Sequence, residues 1–215
     1  MSEKTVKHYP GSEIDVYWDS RLCIHAGECI QAEGDVFENG RSPWCDPDQA
    51  ARQYVRAIVE RCPSGALSYT DKITTGEQVS DNTIKVVYNG PLLTHGELNI
   101  QQNLIKSDGI QHRASLCRCG QSANKPFCDN SHLQNGFTDP GLVQNNEHQQ
   151  CDAGGSLAID PTDNGPLVIE GNLTILGSDS KPAWQGQSTA LCRCGASGHK
   201  PFCDGSHARI GFKSA

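Results

Sequence analysis

One stretch of this chain occurs twice. Residues 89–137 and 164–212 align without a gap at an offset of 75 residues, with 23 of 49 positions identical. Asn89-Gly90-Pro91-Leu92 returns as Asn164-Gly165-Pro166-Leu167, and Gly96, Leu98 and Ile100 return as Gly171, Leu173 and Ile175. Leu116-Cys117-Arg118-Cys119-Gly120 returns as Leu191-Cys192-Arg193-Cys194-Gly195, and Lys125-Pro126-Phe127-Cys128-Asp129 as Lys200-Pro201-Phe202-Cys203-Asp204. The residue types are too diverse for a low-complexity coincidence. A solenoid needs about three copies or more, so two suit a pseudo-symmetric pair instead, a dimer fused into one chain.

Apolar material is short. Only 36% of the 215 residues are apolar or aromatic, against roughly 45–50% in an ordinary globular chain. A single thick core is not expected, and the 11 cysteines are the obvious supplement. No run approaches the ~18 apolar residues of a membrane span, and the opening residues through Trp18 have no apolar signal region. The expectation is therefore a soluble cytoplasmic protein, in which thiols read as metal ligands before disulfides, and the odd cysteine count agrees. The net charge of −7 divides into −4 over residues 1–70 (7 basic, 11 acidic) and −3 over the rest (11 basic, 14 acidic). That balance argues against nucleic acid or an anionic membrane as partner.

The repeated cysteines form a metal-ligand pattern. One copy reads Cys117-x-Cys119-x2-Ser122-x3-Pro126-x-Cys128-Asp129-Asn130-Ser131-His132, the other Cys192-x-Cys194-x2-Ser197-x3-Pro201-x-Cys203-Asp204-Gly205-Ser206-His207. Cys-x-Cys places two sulfurs on one side of an extended backbone, close enough to share one iron. A cysteine and a histidine four apart at the start of a short helix can serve a second. Asp129 or Ser131 is placed to cap that helix, whose N-terminus would temper the negative charge of a thiolate site. Pro126 stiffens the approach, and Phe127 can shield the site from water. A Cys3His zinc site uses the same ligands, so ligand type alone leaves both metals open. Arg118 and Arg193 read first as solvated cations, as do Lys125 and Lys200; a sharper reading has them offset site charge.

Both copies resemble the CDGSH iron–sulfur (NEET) family, whose signature is C-x-C-x2-[ST]-x3-P-x-C-D-G-[SAT]-H. The second copy matches every position, and the first departs once, at Asn130. Asn is the residue best able to replace Gly in a left-handed backbone, so the first site is expected to remain functional. The resemblance implies a 2Fe–2S cluster on Cys117, Cys119, Cys128 and His132, and another on Cys192, Cys194, Cys203 and His207. It also places the chain beside the single-chain, pseudo-dimeric branch of that family. A histidine ligand that can take a proton implies a potential that depends on pH and a cluster lost on acidification.

The first unit, residues 1–72, carries a different pattern. Asp46 as N-cap, Pro47 and Gln49 open a helix whose apolar face is Ala50, Tyr54, Ala57 and Ile58, with Pro63 as its stop. Ile14-Asp15-Val16-Tyr17 alternates like a strand. Cys23-Ile24-His25-Ala26-Gly27-Glu28-Cys29 and the remote Cys62-Pro63-Ser64-Gly65 keep the outer cysteines of a bacterial ferredoxin half-site, with Ala26 where the middle cysteine belongs. These features, with Trp18 and Pro43-Trp44, resemble the divergent single-cluster ferredoxin-like domain found beside CDGSH domains. Cys23, Cys29 and Cys62 then suit a 3Fe–4S cluster, or a 4Fe–4S cluster with an outside ligand. Cys45 and His25 are candidates for the fourth position; unoccupied packing cysteines are the plainer alternative.

The chain thus reads as α+β: a ferredoxin-like domain (1–72), a β-rich pseudo-dimeric tandem (83–137 and 164–215), and between the copies a polar linker or long loop (138–163). Within the repeats, Thr83–Tyr88 and Leu167–Ile175 read as strands interrupted at Gly-Pro and Gly-Asn turns. Cys151 reads as a surface thiol, and His8, His95, His112, His148 and His199 stand singly. No nucleophile–base pair or phosphate-cradling loop stands out, and Thr74–Glu77 reads as an ordinary loop. The expected role is one-electron transfer between redox proteins with basic docking faces, without enzymatic activity. The alternative is a donor of labile 2Fe–2S clusters or a redox or pH sensor.

Overall fold

Alternating side chains build the strand expected at the start of the chain. In a computed structural model, which describes residues 6–101, 108–143 and 153–214, β1 (Val6–Tyr9), β2 (Ile14–Asp19) and β3 (Leu67–Asp71) form an antiparallel sheet in that order. Ile14 pairs with Asp71 and Trp18 with Leu67, so Ile14 and Val16 point into an apolar cluster with Phe37, Cys45, Val55, Ile58 and Val59.

The expected helix is split in two. The Asp46 carboxylate accepts from the Asp48 N–H and also from the Gln49 side chain, which is thereby drawn away from the backbone. A single 3-10 turn, Pro47–Gln49, results; Ala50 is extended, and α1 runs only from Arg52 to Glu60. Its buried face is Val55, Ile58 and Val59, with Tyr54 and Ala57 exposed. Arg52 and Arg56 on the same helix reach the buried Asp71 carboxylate at 2.5 and 3.3 Å.

The second sheet joins the two repeats. It comprises β4 (Thr83–Val86), β5 (Leu92–His95), β6 (Glu97–Ile100), β7 (Arg113–Leu116), β8 (Ser156–Pro161), β9 (Leu167–Leu176) and β10 (Pro182–Leu191), in the order β6-β8-β9-β4-β5-β7 with β10 on β9. Strand β4 stops at Val86 because a turn follows, with Asn89 at φ 48° and the Gly90 N–H donating to the Val87 carbonyl. The second copy runs through Gly171-Asn172 as one strand, whereas in the first copy Gly96 separates β5 from β6. Residues 138–163 are not all linker, since β8 lies within them and pairs with both β6 and β9.

Pairing between the copies is reciprocal. Thr83 and Ile84 pair in parallel with Thr174 and Ile175; shifted by the 75-residue repeat, the same contacts return as Ala158 and Ile159 with Asn99 and Ile100. Each copy thus donates its first strand to the other, and Ile84, Val86, Leu116, Ile159, Leu167 and Leu191 share one core. Leu22 and Ala66 of the first unit are buried in that same core. Arg113 locks the junction: its guanidinium donates to the carbonyls of Val59, Cys62 and Leu67 and pairs with Glu77 at 2.8 Å. Glu77 is therefore an anchor, not a plain loop residue.

The chain is mostly strand, its α-helix confined among the described residues to α1 and the four-residue α2 (Ser206–Arg209). No described helix is long and apolar enough to cross a membrane.

Arg113→Met leaves Glu77 buried and unpaired, so the unfolding free energy should fall by about 3–5 kcal/mol in denaturant titration; a loss below about 1 kcal/mol contradicts the anchoring role. Asp71 supplies a pH test. Burial opposes its charge, but the Thr74 and Ile73 N–H groups, the Thr74 hydroxyl and Arg52 outweigh that, holding its carboxyl well below the usual carboxylate range. A depressed folded pKa gives stability that is present above the unfolded value of ~3.9 and lost as pH falls through the folded value. The stability difference between the native chain and Asp71→Asn should stay constant above about pH 5 and shrink in stronger acid.

Candidate metal centres

Each repeated site is assembled by a strand that doubles back on itself. Strand β7 ends at Leu116; the next N–H, of Cys117, donates to the Pro126 carbonyl at 2.8 Å, and the Cys128 N–H donates to the Ser115 carbonyl at 2.8 Å. The second copy does the same with Cys192 to Pro201 at 2.7 Å and Cys203 to Ala190 at 2.8 Å. Ser122 braces the loop, its hydroxyl donating to the Phe127 carbonyl and accepting from the Asn124 N–H; Ser197 repeats both bonds. Asp129 ties the far end, accepting from Ser131 and from the Ala123 N–H.

The donors that result come in pairs. Cys117 and Cys119 Sγ are 3.8 Å apart, and Cys128 Sγ is 3.5 Å from His132 Nδ1. In the second copy the distances are 3.7 Å for Cys192–Cys194 and 3.3 Å for Cys203–His207. An ion bonded tetrahedrally to two thiolates at ~2.3 Å holds the sulfurs about 3.8 Å apart, and one bonded to a thiolate and an imidazole holds S and N about 3.5 Å apart. The pairs match those spans. Among the described residues, no three His, Cys, Asp or Glu side chains gather around a single ion position.

Electrostatics favours a cationic occupant. In the Cys117–Cys119 pair the hydrogen bond between the thiols, then burial, raises Cys117, while the same bond lowers Cys119. Burial pushes Cys128 and Cys194 up to about 11. A metal must displace these protons, and backbone N–H groups stand ready to stabilise the thiolates. Asn130 N–H lies 3.4 Å from Cys128 Sγ, and Gly205 N–H lies 3.5 Å from Cys203 Sγ. These amides take the part expected of a helix dipole, because the histidines sit on one 3-10 turn (Ser131–Leu133) and on α2, both too short for one. Asn130 at φ 69° and Gly205 at φ 81° share the left-handed conformation that the Asn-for-Gly exchange anticipates.

Arg118 and Arg193 are buried, contrary to the expectation of solvated cations. Arg118 donates to the carbonyls of Val87 and Gly90, pairs with Asp139 at 2.5 Å and lies over Phe137. Arg193 donates to Thr162 and Gly165 and lies over Phe212. Each arginine thus ties the Asn-Gly-Pro turn of its copy to the Cys-x-Cys segment, which is why both motifs recur together. The two sites also abut: a Cβ on Gly120 would lie 2.7 Å from the Cys194 carbonyl oxygen, and one on Gly195 would lie 2.8 Å from that of Cys119.

The first unit holds a third candidate site. A cavity of about 360 Å³ is lined by Cys23, Cys29 and Cys62 together with Trp18, Trp44 and the His25–Gly27 loop. Ala26 lies on its wall. His25 lines it as well, at φ 54°, with Nδ1 3.9 Å from Cys23 Sγ. Cys45 does not line this cavity: it is 1% exposed, bridges to Phe37 within the apolar cluster, and burial pushes its thiol up to about 12. Cys151 and His148 fall outside the described residues.

Three cysteine-rich sites, two of them alike, define an iron–sulfur protein. Residues 89–133 and 164–208 match the family described as iron-binding zinc finger, CDGSH type, and residues 9–72 match the divergent 4Fe-4S mono-cluster family. The chain therefore carries two CDGSH-type iron-binding domains in tandem behind a divergent 4Fe-4S mono-cluster domain. Uncharacterized protein YjdI of Escherichia coli strain K12 is 41% identical over 64 residues, which is 30% of this chain and 84% of YjdI; YjdI of E. coli O157:H7 matches equally. No solved structure matches the chain.

Cys45→Ala should leave the iron content unchanged, whereas Cys62→Ala, in the cavity wall, should lower it. Iron lost equally from both variants would place Cys45 among the ligands.

Proposed function

We propose that this chain is an electron-transfer protein. In this reading Cys117, Cys119, Cys128 and His132 hold one 2Fe–2S cluster, Cys192, Cys194, Cys203 and His207 hold a second, and Cys23, Cys29 and Cys62 hold a 3Fe–4S or 4Fe–4S cluster. The observation that carries it is that the donors stand in two pairs per site, thiolate with thiolate and thiolate with imidazole, and that among the described residues no three of them gather around one ion position, which suits two ions per site better than one tetrahedral zinc. Reciprocal strand exchange between the copies supports the pseudo-dimeric arrangement.

A bound cluster supplies a one-electron couple. The chain's own residues do the rest. Cys117, Cys119, Cys192 and Cys194 are buried, so the Cys-x-Cys half of each site is shut away from water. Backbone amides of Asn130 and Gly205 donate to sulfur, which favours the more negative, reduced state. The His side chains sit at the partly exposed rim, where a partner can approach. The net charge of −7 would steer the chain to basic docking faces on redox proteins. Partly exposed Cys203 beside partly exposed His207 favours a second reading, release of a 2Fe–2S unit to an acceptor protein.

An anaerobic redox titration followed by EPR separates the two. Electron transfer predicts reversible reduction at every site with iron retained through repeated cycles. Loss of iron to an apo-ferredoxin without net reduction would instead establish the donor.

A further inference from the structure

The two repeated sites differ in what covers them. Asn130 Nδ2 donates to the Ile24 carbonyl at 2.7 Å, and Asn124 Nδ2 donates to the Arg21 carbonyl at 2.7 Å. Both acceptors flank Cys23, one residue after it and two before. Asn130 also donates its backbone N–H toward Cys128 Sγ at 3.4 Å. One residue therefore touches the loop of the first unit with its side chain and a candidate ligand of the first repeat with its backbone.

The second copy has His199 and Gly205 in those places. A Cβ on Gly205 would meet nothing within 4 Å, and His199 is exposed. Cys128 is 4% exposed and Phe127 2%, whereas Cys203 and Phe202 are only half-buried. Asn130, where the second copy has Gly205, keeps the left-handed backbone and adds a side-chain amide that reaches the Ile24 carbonyl.

We propose that Asn124 and Asn130 seat the Cys23 loop of the first unit on the first repeated site, making Cys23–Ile24–Asn130–Cys128 the link by which electrons pass between the ferredoxin-like site and the first CDGSH site, with the second CDGSH site as the outward station. The inference rests on the electron-transfer reading above. One electron leaves the reduced ferredoxin-like site and arrives at the oxidised first repeat site; no bond forms or breaks, and an external one-electron reductant supplies the electron. The close approach of Gly120 and Gly195 to the opposite site continues the series to Cys194.

Two measurements on the full iron-loaded chain test this. In the variant Asn124→His with Asn130→Gly, which copies the second repeat, amide hydrogen exchange over residues 21–26 should accelerate about five-fold for each hydrogen bond lost. Unchanged exchange overturns the docking. In the dithionite-reduced chain, the 2Fe–2S EPR signal that remains in Cys203→Ala, from the first repeat site, should be broadened by the ferredoxin-like site, which is paramagnetic when reduced with either three or four irons. The signal that remains in Cys128→Ala, from the second repeat site, should be free of that broadening; the opposite pattern, or none at all, overturns the link. If reduction proves irreversible at every site, the electron-transfer reading itself fails. Reversible reduction without the broadening removes the link alone.

Discussion

Two backbone hydrogen bonds per repeat govern the rest of the structure. Cys117 N–H to the Pro126 carbonyl, and Cys128 N–H to the Ser115 carbonyl, fold the cysteine loop back along β7 and hold it there. The register they impose brings Cys117 beside Cys119 and leaves Cys128 opposite His132. Ser122 and Asp129 then satisfy the loop's remaining amides, so the donor pairs stand at metal-bonding separation before any metal is considered. A small fold that lacks a thick core gains stability from such bonds, because metal affinity for a site that exists only in the folded state is also folding free energy.

The copies share this frame and diverge at its edges. Arg118 has Asp139 as its ion partner, and the first repeat spends Asn124 and Asn130 on contacts with the first unit. The second repeat presents Gly205 and His199 instead, with Cys203 half-buried. An asymmetric load on a symmetric frame is what a third domain produces when it can cover only one of two equivalent faces.

Much of this was legible in the residues. The repeat, the ligand spacing and the Asn-for-Gly exchange are local patterns, and the structure sets Cys117 beside Cys119 and Cys128 beside His132. Long-range effects were not legible. Arg118 and Arg193 read as surface cations because nothing in a linear pattern reveals that backbone carbonyls 28 and 31 residues upstream receive them. Cys45 is near the other cysteines in sequence, yet the bridge to Phe37 turns it into the apolar cluster. Strand β8 was hidden in a polar stretch, although Ile84 and Ile159 already continue the 75-residue offset upstream of the aligned segment. Asp46 split the expected helix because its carboxylate captured both the Asp48 amide and Gln49.

The central claim is that each repeated site holds two irons on paired donors. Iron, zinc and acid-labile sulfide measured per chain on anaerobically purified protein test it most directly. Two dinuclear clusters with a third of three or four irons predict about seven to eight irons per chain, a comparable amount of sulfide and negligible zinc. One zinc per repeated site, with no sulfide beyond that of the first unit, would contradict it.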